Sequence, residues 1–198
     1  MAEQKWTLRA AVQDDAEALV DFILMAGDGV PEYLWGSMAA PGEAVLDVGA
    51  RRARRDEGGF SWRNAVIADG TNGPAAGLIG YALPEAPEPV NPDDLPPPVR
   101  PLLALEAQVP GSWYINVIAT RPAWRRQGLA QALMDEAEKR AHATGRRALS
   151  LVVSSDRHAA RALYEAQGFV TMAVLPKAAE GPVQGGPDWV LYRKPLQG

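Results

Sequence analysis

The sequence lacks cysteine and contains only two histidines, His142 and His158. Without cysteine, disulfide bonds, thiolate catalysis and cysteine-ligated zinc or iron–sulfur sites are excluded. Two isolated histidines do not form the cluster that a histidine-ligated metal centre requires. We therefore expect a protein without a metal site.

Long hydrophobic runs and an excess of positive charge are also missing. No apolar run approaches the roughly 18 residues that span a bilayer, and residues 1–6 lack the apolar segment of a signal peptide. The formal net charge is −4, and the basic cluster at 51–55 is followed by Asp56 and Glu57, which is typical of a solvated helix face. We expect a cytoplasmic protein that binds neither membranes nor nucleic acid.

The length and composition fit one globular unit. The chain has 198 residues, of which 47% are hydrophobic. At this length roughly 70% of the surface of the unfolded chain can be buried, so a proper core forms without a disulfide or metal. We expect a single domain over residues 1–198.

Hydrophobic periodicity predicts alternating strands and helices. In the first half it predicts a strand over 5–9, helices over 16–25 and within 42–55, and an antiparallel hairpin of 60–68 with 77–83. In the second half it predicts strands over 113–120 and 148–153, helices over 128–143 and 157–167, the latter capped by Asp156, and a last strand pair at 169–175 and 189–193. The strand–helix–strand order requires a neighbouring pair of parallel strands. The sum is a mixed α/β sheet with flanking helices.

A proline-rich segment interrupts this regular order. Residues 84–110 carry nine of the seventeen prolines, which removes backbone donors and excludes strand interiors. Neither the part of the chain before this segment nor the part after it looks able to fold alone. The segment is therefore an insertion loop and not a domain boundary. Within it, residues 102–106 predict a short helical turn.

The junction between the strand at 113–120 and the following helix carries the clearest chemical signal. Gly128 leaves room for a ligand against the backbone, and Arg125 and Arg126 add positive charge. A turn that leads into a helix exposes unpaired N–H groups, and the helix dipole adds positive potential. The junction therefore predicts a diphosphate site, although neither G-x-G-x-x-G nor the P-loop pattern is present.

Two segments resemble motifs of the GNAT family of N-acetyltransferases. Residues 125–130, which read RRQGLA, resemble its diphosphate loop Q/R-x-x-G-x-G/A, and residues 160–169 resemble its A-x-x-L-Y-x-x-x-G-F helix. They occur in the family's order, and the resemblance extends over about residues 5–193. It implies a mostly antiparallel sheet with a central splayed pair of parallel strands. It also implies that acetyl-CoA, as co-substrate, binds between those two strands.

The resemblance also implies roles for individual residues. Tyr164 matches the general acid that protonates the leaving CoA thiolate, and the backbone N–H of Ile118 is the candidate to polarise the thioester carbonyl. Arg157 stands where the family often has a CoA-contacting asparagine, so the same contact is not assumed. The implied CoA-contacting residues are Ile118, Ala119, Thr120, Arg125, Arg126, Gln127, Gly128, Leu129, Ala130, Gln131 and Arg157.

The acceptor and the general base are left open by the sequence. The implied reaction is direct attack of a primary amine, from a small molecule or a protein or peptide, on acetyl-CoA in a ternary complex. Val152 stands where some members carry a catalytic glutamate, and Glu32 and Glu106 are alternative bases on nearby loops. Tyr33 and Trp35 are candidates for the acceptor pocket, although plain packing explains them equally well.

Three further expectations follow from the resemblance. The insertion at 84–110 borders the acceptor site and not the CoA site. Homodimerisation is common for such domains. The alternative to an enzyme is a catalytically silent acyl-CoA-binding sensor of the same fold, from which Tyr164 distinguishes an active transferase.

Overall fold

A single sheet of seven strands organises the computed structural model, which describes residues 5–87, 89–181 and 183–197. The strand order across the sheet is 1-2-3-4-5-7-6, and every neighbouring pair is antiparallel except the parallel fourth and fifth strands. The predicted mixed sheet is thereby confirmed. Residues 1–4, which belong to the N-terminal segment tested for a signal peptide, lie outside the described residues. The strands are β1 (Thr7–Ala10), β2 (Ala65–Gly70), β3 (Gly73–Ala82), β4 (Trp113–Thr120), β5 (Ala148–Ser154), β6 (Val170–Pro176) and β7 (Asp188–Pro195).

Helices cover both faces of this sheet. The alternation along β2 shows the two faces, because Val66 and Ala68 join the core cluster beneath α5, while Ala65 and Ile67 join the cluster beneath α1 and α3. Among the described residues no helix combines the length and the apolar character needed to cross a membrane. The helices are α1 (Ala16–Ala26), α2 (Val30–Met38), α3 (Val45–Ala53), α4 (Arg100–Glu106), α5 (Leu129–Ala143) and α6 (His158–Ala166).

The parallel strands β4 and β5 separate after three residue pairs. Trp113 to Ile115 pair with Leu149 to Leu151, and no later residue of β4 pairs with β5 in the described chain. Beyond this point β4 stays paired with β3 as far as Thr120, and β5 stays paired with β7 as far as Ser154. The register of β3 and β4 shifts by one residue at Asn116, a β-bulge at the start of the split. The predicted splayed pair is therefore present.

The proline-rich insertion leaves and re-enters the sheet at one place. The backbone N–H of Leu83 donates to the carbonyl oxygen of Ser112 (2.8 Å), which holds the two ends of the insertion together. The predicted helical turn is α4, and its Leu105 is fully buried in a cluster with Leu191 and Tyr114. The insertion is thus anchored in the core by one helix.

Two local predictions are wrong. The segment after Gly29, in which Glu32 is predicted to lie on a loop, forms α2. This helix starts directly after Gly27-Asp28-Gly29 and has Pro31 in its first turn, where proline is tolerated. Trp35 consequently packs in the core against Gly49. Asp156 does not cap α6; its carboxylate accepts a hydrogen bond from the Ser154 hydroxyl (2.5 Å).

Gly77 on β3 allows α1 to lie close to the sheet, because a Cβ atom at this position would overlap the ring of the fully buried Phe22. We expect Gly77→Ala to lower the free energy of unfolding by about 1–3 kcal/mol, the usual cost of overpacking a core. Gly36→Ala on α2 is the control, since nothing lies within 4 Å of its Cβ position and alanine favours a helix by roughly 0.5–1 kcal/mol. Urea unfolding of both variants checks this, and equal shifts would contradict the close-approach argument.

Candidate functional site

A cavity of about 530 Å³ opens at the split between β4 and β5. Its wall is formed by the diverging strands, the end of α1 with the turn after it, the start of α5, and α6 with the turn before it. The cavity therefore occupies the space that parallel strands normally close. Of the residues predicted as a site, those in its wall are Ile118, Ala119, Thr120, Arg125, Ala130, Arg157 and Tyr164.

The loop before α5 has the conformation of an anion site. Arg126 and Gly128 both have left-handed backbones, with φ of 61° and 84°, and such turns turn successive N–H groups towards one concavity. Within the described residues the backbone N–H groups of 126–131 donate to no protein acceptor. A Cβ atom at Gly128 would meet nothing within 4 Å. Six consecutive N–H groups are therefore without a protein acceptor among the described residues, and the space beside Gly128 is open.

The remaining predicted residues of this loop and helix serve other contacts with their side chains or carbonyls. Leu129 is buried in the core cluster beneath α5. The Gln131 amide donates to Gln167 Oε1 (3.0 Å) and so links α5 to α6. The carbonyl oxygen of Gln127 accepts from the Trp6 indole (3.2 Å). The Gln127 side-chain amide donates to the Ala123 carbonyl oxygen (3.1 Å). The backbone N–H groups of all three residues have no acceptor among the described residues.

Tyr164 presents its hydroxyl to the cavity from α6. Its ring lies against Phe169 and Tyr192, with ring centroids 5.9 Å and 6.1 Å away. Burial raises the pKa of Tyr164 to about 12, so the phenol is protonated at neutral pH. Because no hydrogen bond to this hydroxyl is found in the described part of the chain, the group is available as a donor to a ligand.

Arg157 forms an ion pair with a second residue of the cavity wall, Asp28. Its guanidinium donates to the buried carboxylate of Asp28, which lies in the turn between α1 and α2. The same carboxylate lies 3.5 Å from the ammonium of Lys177, and the backbone carbonyl of Asp28 accepts from the Gln184 N–H (2.7 Å). These contacts tie the start of α6 to the α1–α2 turn and to the loop between β6 and β7. Arg157 thus forms an ion pair, which an asparagine at this position could not.

A second, smaller cavity of about 90 Å³ adjoins the first. The two share Ala26, Asn116 and Val152 in their walls, and Asn116 is the bulge residue at which the strands separate. The second cavity is otherwise enclosed by α1, α2, α4 and β7. Its wall contains Ile23, Gly27, Val30, Pro31, Leu34, Phe60, Leu102, Glu106, Tyr114, Val117 and Trp189.

The structure separates the two candidate bases that sequence reasoning left open. Glu106, on α4, lies in the wall of the second cavity, whereas Glu32, on α2, lies in the wall of neither cavity. Burial raises the pKa of Glu106 to about 7, and the hydroxyl of Tyr114 opposes the rise by donating to the carboxylate. Val152 supplies no titratable group. Glu106 can be recognised as the better-placed candidate base only once the insertion has folded against the sheet.

The insertion contributes to the second cavity and not to the first. Leu102 and Glu106 of α4 lie in the wall of the second cavity, while no residue of 84–110 lies in the described wall of the first. Glu106 also borders an apolar groove of about 630 Å³ formed by the insertion itself. The insertion therefore lies on the side of the split opposite the loop before α5.

Comparison with known proteins gives one family and one fold. The model of the acetyltransferase (GNAT) family matches residues 43–169. A comparison with curated proteins gives no significant match.

Several solved structures share the fold at low sequence identity. An agmatine N-acetyltransferase variant in the apo form has a TM-score of 0.66 and 15% identity, covering 97% of this chain and all of that one. An N-acetyltransferase from Staphylococcus aureus Mu50 has a TM-score of 0.60 and 17% identity, covering 94% and 99% of the two chains. The NatC complex bound to Gag peptide and CoA has a TM-score of 0.55 and 15% identity, covering 98% and 99%. Each likeness establishes the fold alone.

Because the pKa of Glu106 is raised in the folded protein, ionisation of its carboxyl should lower the free energy of unfolding. The folded protein favours the neutral acid, so this contribution to stability is complete below the ordinary pKa of 4.5 and is lost as the pH rises through about 7. We expect the stability of Glu106→Gln relative to wild type to increase by about 2–3 kcal/mol between pH 5 and pH 8. Urea unfolding at both pH values measures it, and a difference that does not change with pH would contradict the assigned burial.

Proposed function

Because this chain belongs to the GNAT acetyltransferase family, we propose that it transfers the acetyl group of acetyl-CoA to a primary amine by direct attack in a ternary complex. The observation that carries the proposal is the cavity at the split. Its wall combines the Tyr164 hydroxyl, the β4 backbone around Ile118 and the start of α5. A thioester needs all three kinds of group: an acid for the thiolate, a donor for the carbonyl oxygen and a site for the diphosphate.

The residues around the cavity fit acetyl-CoA as co-substrate. The free N–H groups of 126–131 suit the diphosphate. Within the described chain neither Arg125 nor Arg126 forms an ion pair, and the one protein contact of the Arg125 guanidinium there is a long hydrogen bond from Nε to the Thr120 carbonyl oxygen (3.4 Å), so both side chains can turn towards the diphosphate. Beyond Ile115 the side of β4 that faces β5 has no strand partner, and the amides of a pantetheine arm can bond to such an edge as an added strand does. Ala119, Thr120 and Ala130 border this path.

In the proposed mechanism Ile118 and Tyr164 stabilise charge that appears only during the reaction. The backbone N–H of Ile118 donates to the carbonyl oxygen as it becomes an oxyanion, an interaction worth about 3 kcal/mol when preorganised. Tyr164 donates to the sulfur as the C–S bond breaks. With a pKa of about 12, transfer of its proton to a thiolate whose conjugate thiol has a pKa near 8.5 is uphill. The hydroxyl therefore first donates a hydrogen bond to the sulfur and gives up its proton only as the nitrogen replaces it.

Amines are the proposed acceptors because of the family and its structural relatives. One of those relatives is an agmatine N-acetyltransferase and another is a complex bound to a peptide and CoA, which supports either a small-molecule or a peptide amine as the acceptor. The cytoplasmic location and homodimer stay predictions from the sequence. The silent sensor differs from the enzyme in one respect: it binds acetyl-CoA without turnover when amines are supplied.

The loop before α5 predicts that Gly128→Glu abolishes CoA binding. The new carboxylate would occupy the open space beside the free N–H groups and repel the diphosphate. Gly128→Ala is the control, because it has the same backbone strain at φ 84° with little bulk and no charge. Calorimetry with CoA measures both. A folded Gly128→Glu protein that binds CoA as tightly as wild type would show that the diphosphate lies elsewhere.

Tyr164→Phe should slow turnover by about a hundredfold or more, the effect of removing a positioned acid, while the Kd of acetyl-CoA stays unchanged. Stability should barely change, since the described residues form no hydrogen bond to this hydroxyl. Tyr192→Phe is the matched control: its hydroxyl belongs to the same aromatic cluster but donates to Glu165 (2.6 Å) and lies outside the cavity wall. That control should lose about 1 kcal/mol of stability and retain kcat. Steady-state kinetics with a reactive amine would refute the role of Tyr164 if Tyr164→Phe turned over within twofold of wild type.

A further inference from the structure

The second cavity is apolar apart from one carboxylate and a few dipolar groups. The α1 and α2 residues in its wall are aliphatic or glycine and proline, and β5 contributes Val152. The polar groups are the Glu106 carboxyl, the Tyr114 hydroxyl, the Asn116 amide and the Trp189 indole. The indole N–H of Trp189 is buried and finds no acceptor among the described residues. A site with this wall suits an apolar ligand that carries a polar end.

Glu106 has no cationic partner in the described chain. The titratable groups that face it are two phenols, Tyr114 from β4 and Tyr81 from β3, and both have pKa values raised above the ordinary range by burial. Lys177, whose ammonium lies over the Trp189 ring (4.1 Å), is paired with Asp28 and not with Glu106. A buried carboxylate is normally compensated by a cation. An ammonium ion entering the cavity would supply that cation.

The second cavity also meets the reaction centre. It joins the proposed acetyl-CoA cavity at Asn116 and Val152, where β4 and β5 separate. A nitrogen atom held beside Glu106 therefore approaches the split from the side opposite the loop before α5. That is the side from which an acceptor can attack the thioester without displacing the co-substrate.

We infer that the second cavity binds the acceptor as an apolar primary ammonium ion and that Glu106 takes its proton. This inference rests on the proposed acetyl transfer and adds its acceptor class and its base. The 90 Å³ cavity has room for about six water-sized groups, and the adjoining groove of the insertion is also apolar. A second ammonium group would be desolvated there without a partner, and a carboxylate next to the amine would be repelled by Glu106.

The proton steps balance. The ammonium gives one proton to Glu106, which leaves a neutral amine and a neutral carboxylic acid, a pair that an apolar cavity favours over two ions. The amine nitrogen then bonds to the carbonyl carbon. When the tetrahedral intermediate collapses and the C–S bond breaks, Tyr164 protonates the sulfur and a second nitrogen proton restores the phenol. Glu106 finally releases its proton to solvent.

The test is an amine titration by calorimetry, with and without CoA, on wild type, Glu106→Gln and Glu32→Gln. The amines are pentylamine, 1,5-diaminopentane, and norleucine, which is pentylamine with a carboxylate beside the amine. We expect wild type to prefer pentylamine and its affinity to rise from pH 6 to pH 8. Glu106→Gln should lose about ten- to a hundredfold in pentylamine affinity, the usual cost of a lost charged hydrogen bond, while the control Glu32→Gln loses none.

Acetylation kinetics with the same proteins separate this inference from the proposed function. In Glu106→Gln kcat/KM for pentylamine should fall and recover as the pH rises towards the pKa of the free amine, because deprotonation then occurs in solution. Tighter binding of the diamine or of norleucine by wild type, or equal behaviour of the two glutamate variants, would overturn the inference even if acetylation occurs. Amine discrimination without acetyl-CoA binding would instead refute the proposed function and leave the amine site standing.

Discussion

The separation of β4 from β5 after three residue pairs is the constraint on which the site depends. Each strand stays hydrogen-bonded to its other neighbour, β4 to β3 and β5 to β7. Only the hydrogen bonds between β4 and β5 are therefore lost at the split. The edge of β4 that faces the gap then has backbone groups without a strand partner, and both cavities lie at the gap. A fully paired sheet would close the space in which the proposed co-substrate and acceptor meet.

The surrounding elements hold this gap open from three directions. The bulge at Asn116 changes the course of β4 at the point where pairing ends. Next to the gap, the ion pair of Asp28 with Arg157 fixes the α1–α2 turn against the start of α6. On the opposite side, Leu105 anchors α4 in the core, so that Glu106 lies at the second cavity. One side of the gap is thus held by an ion pair and the other by apolar packing of α4.

Much of this arrangement is predictable from the sequence, because its signals are local. The run from Trp113 to Thr120 and the apolar run from Ala148 specify the central strands, and Gly128 marks a turn that leads into a helix. Other features depend on packing and leave little local signal. The helix that begins at Val30 contains Pro31 and Gly36 and follows a glycine-rich break, so propensity argues against it. The raised pKa of Glu106 arises only when an irregular insertion folds against a distant part of the sheet.

Amide hydrogen exchange with and without CoA tests the central claim that the gap between β4 and β5 binds the co-substrate. The account predicts slower exchange in two segments on CoA addition, residues 116–120 on the unpaired part of β4 and residues 126–131 before and at the start of α5. Exchange in β2, which lies away from both cavities, should not change. CoA binding with protection outside these two segments, or with none in either, would contradict the account.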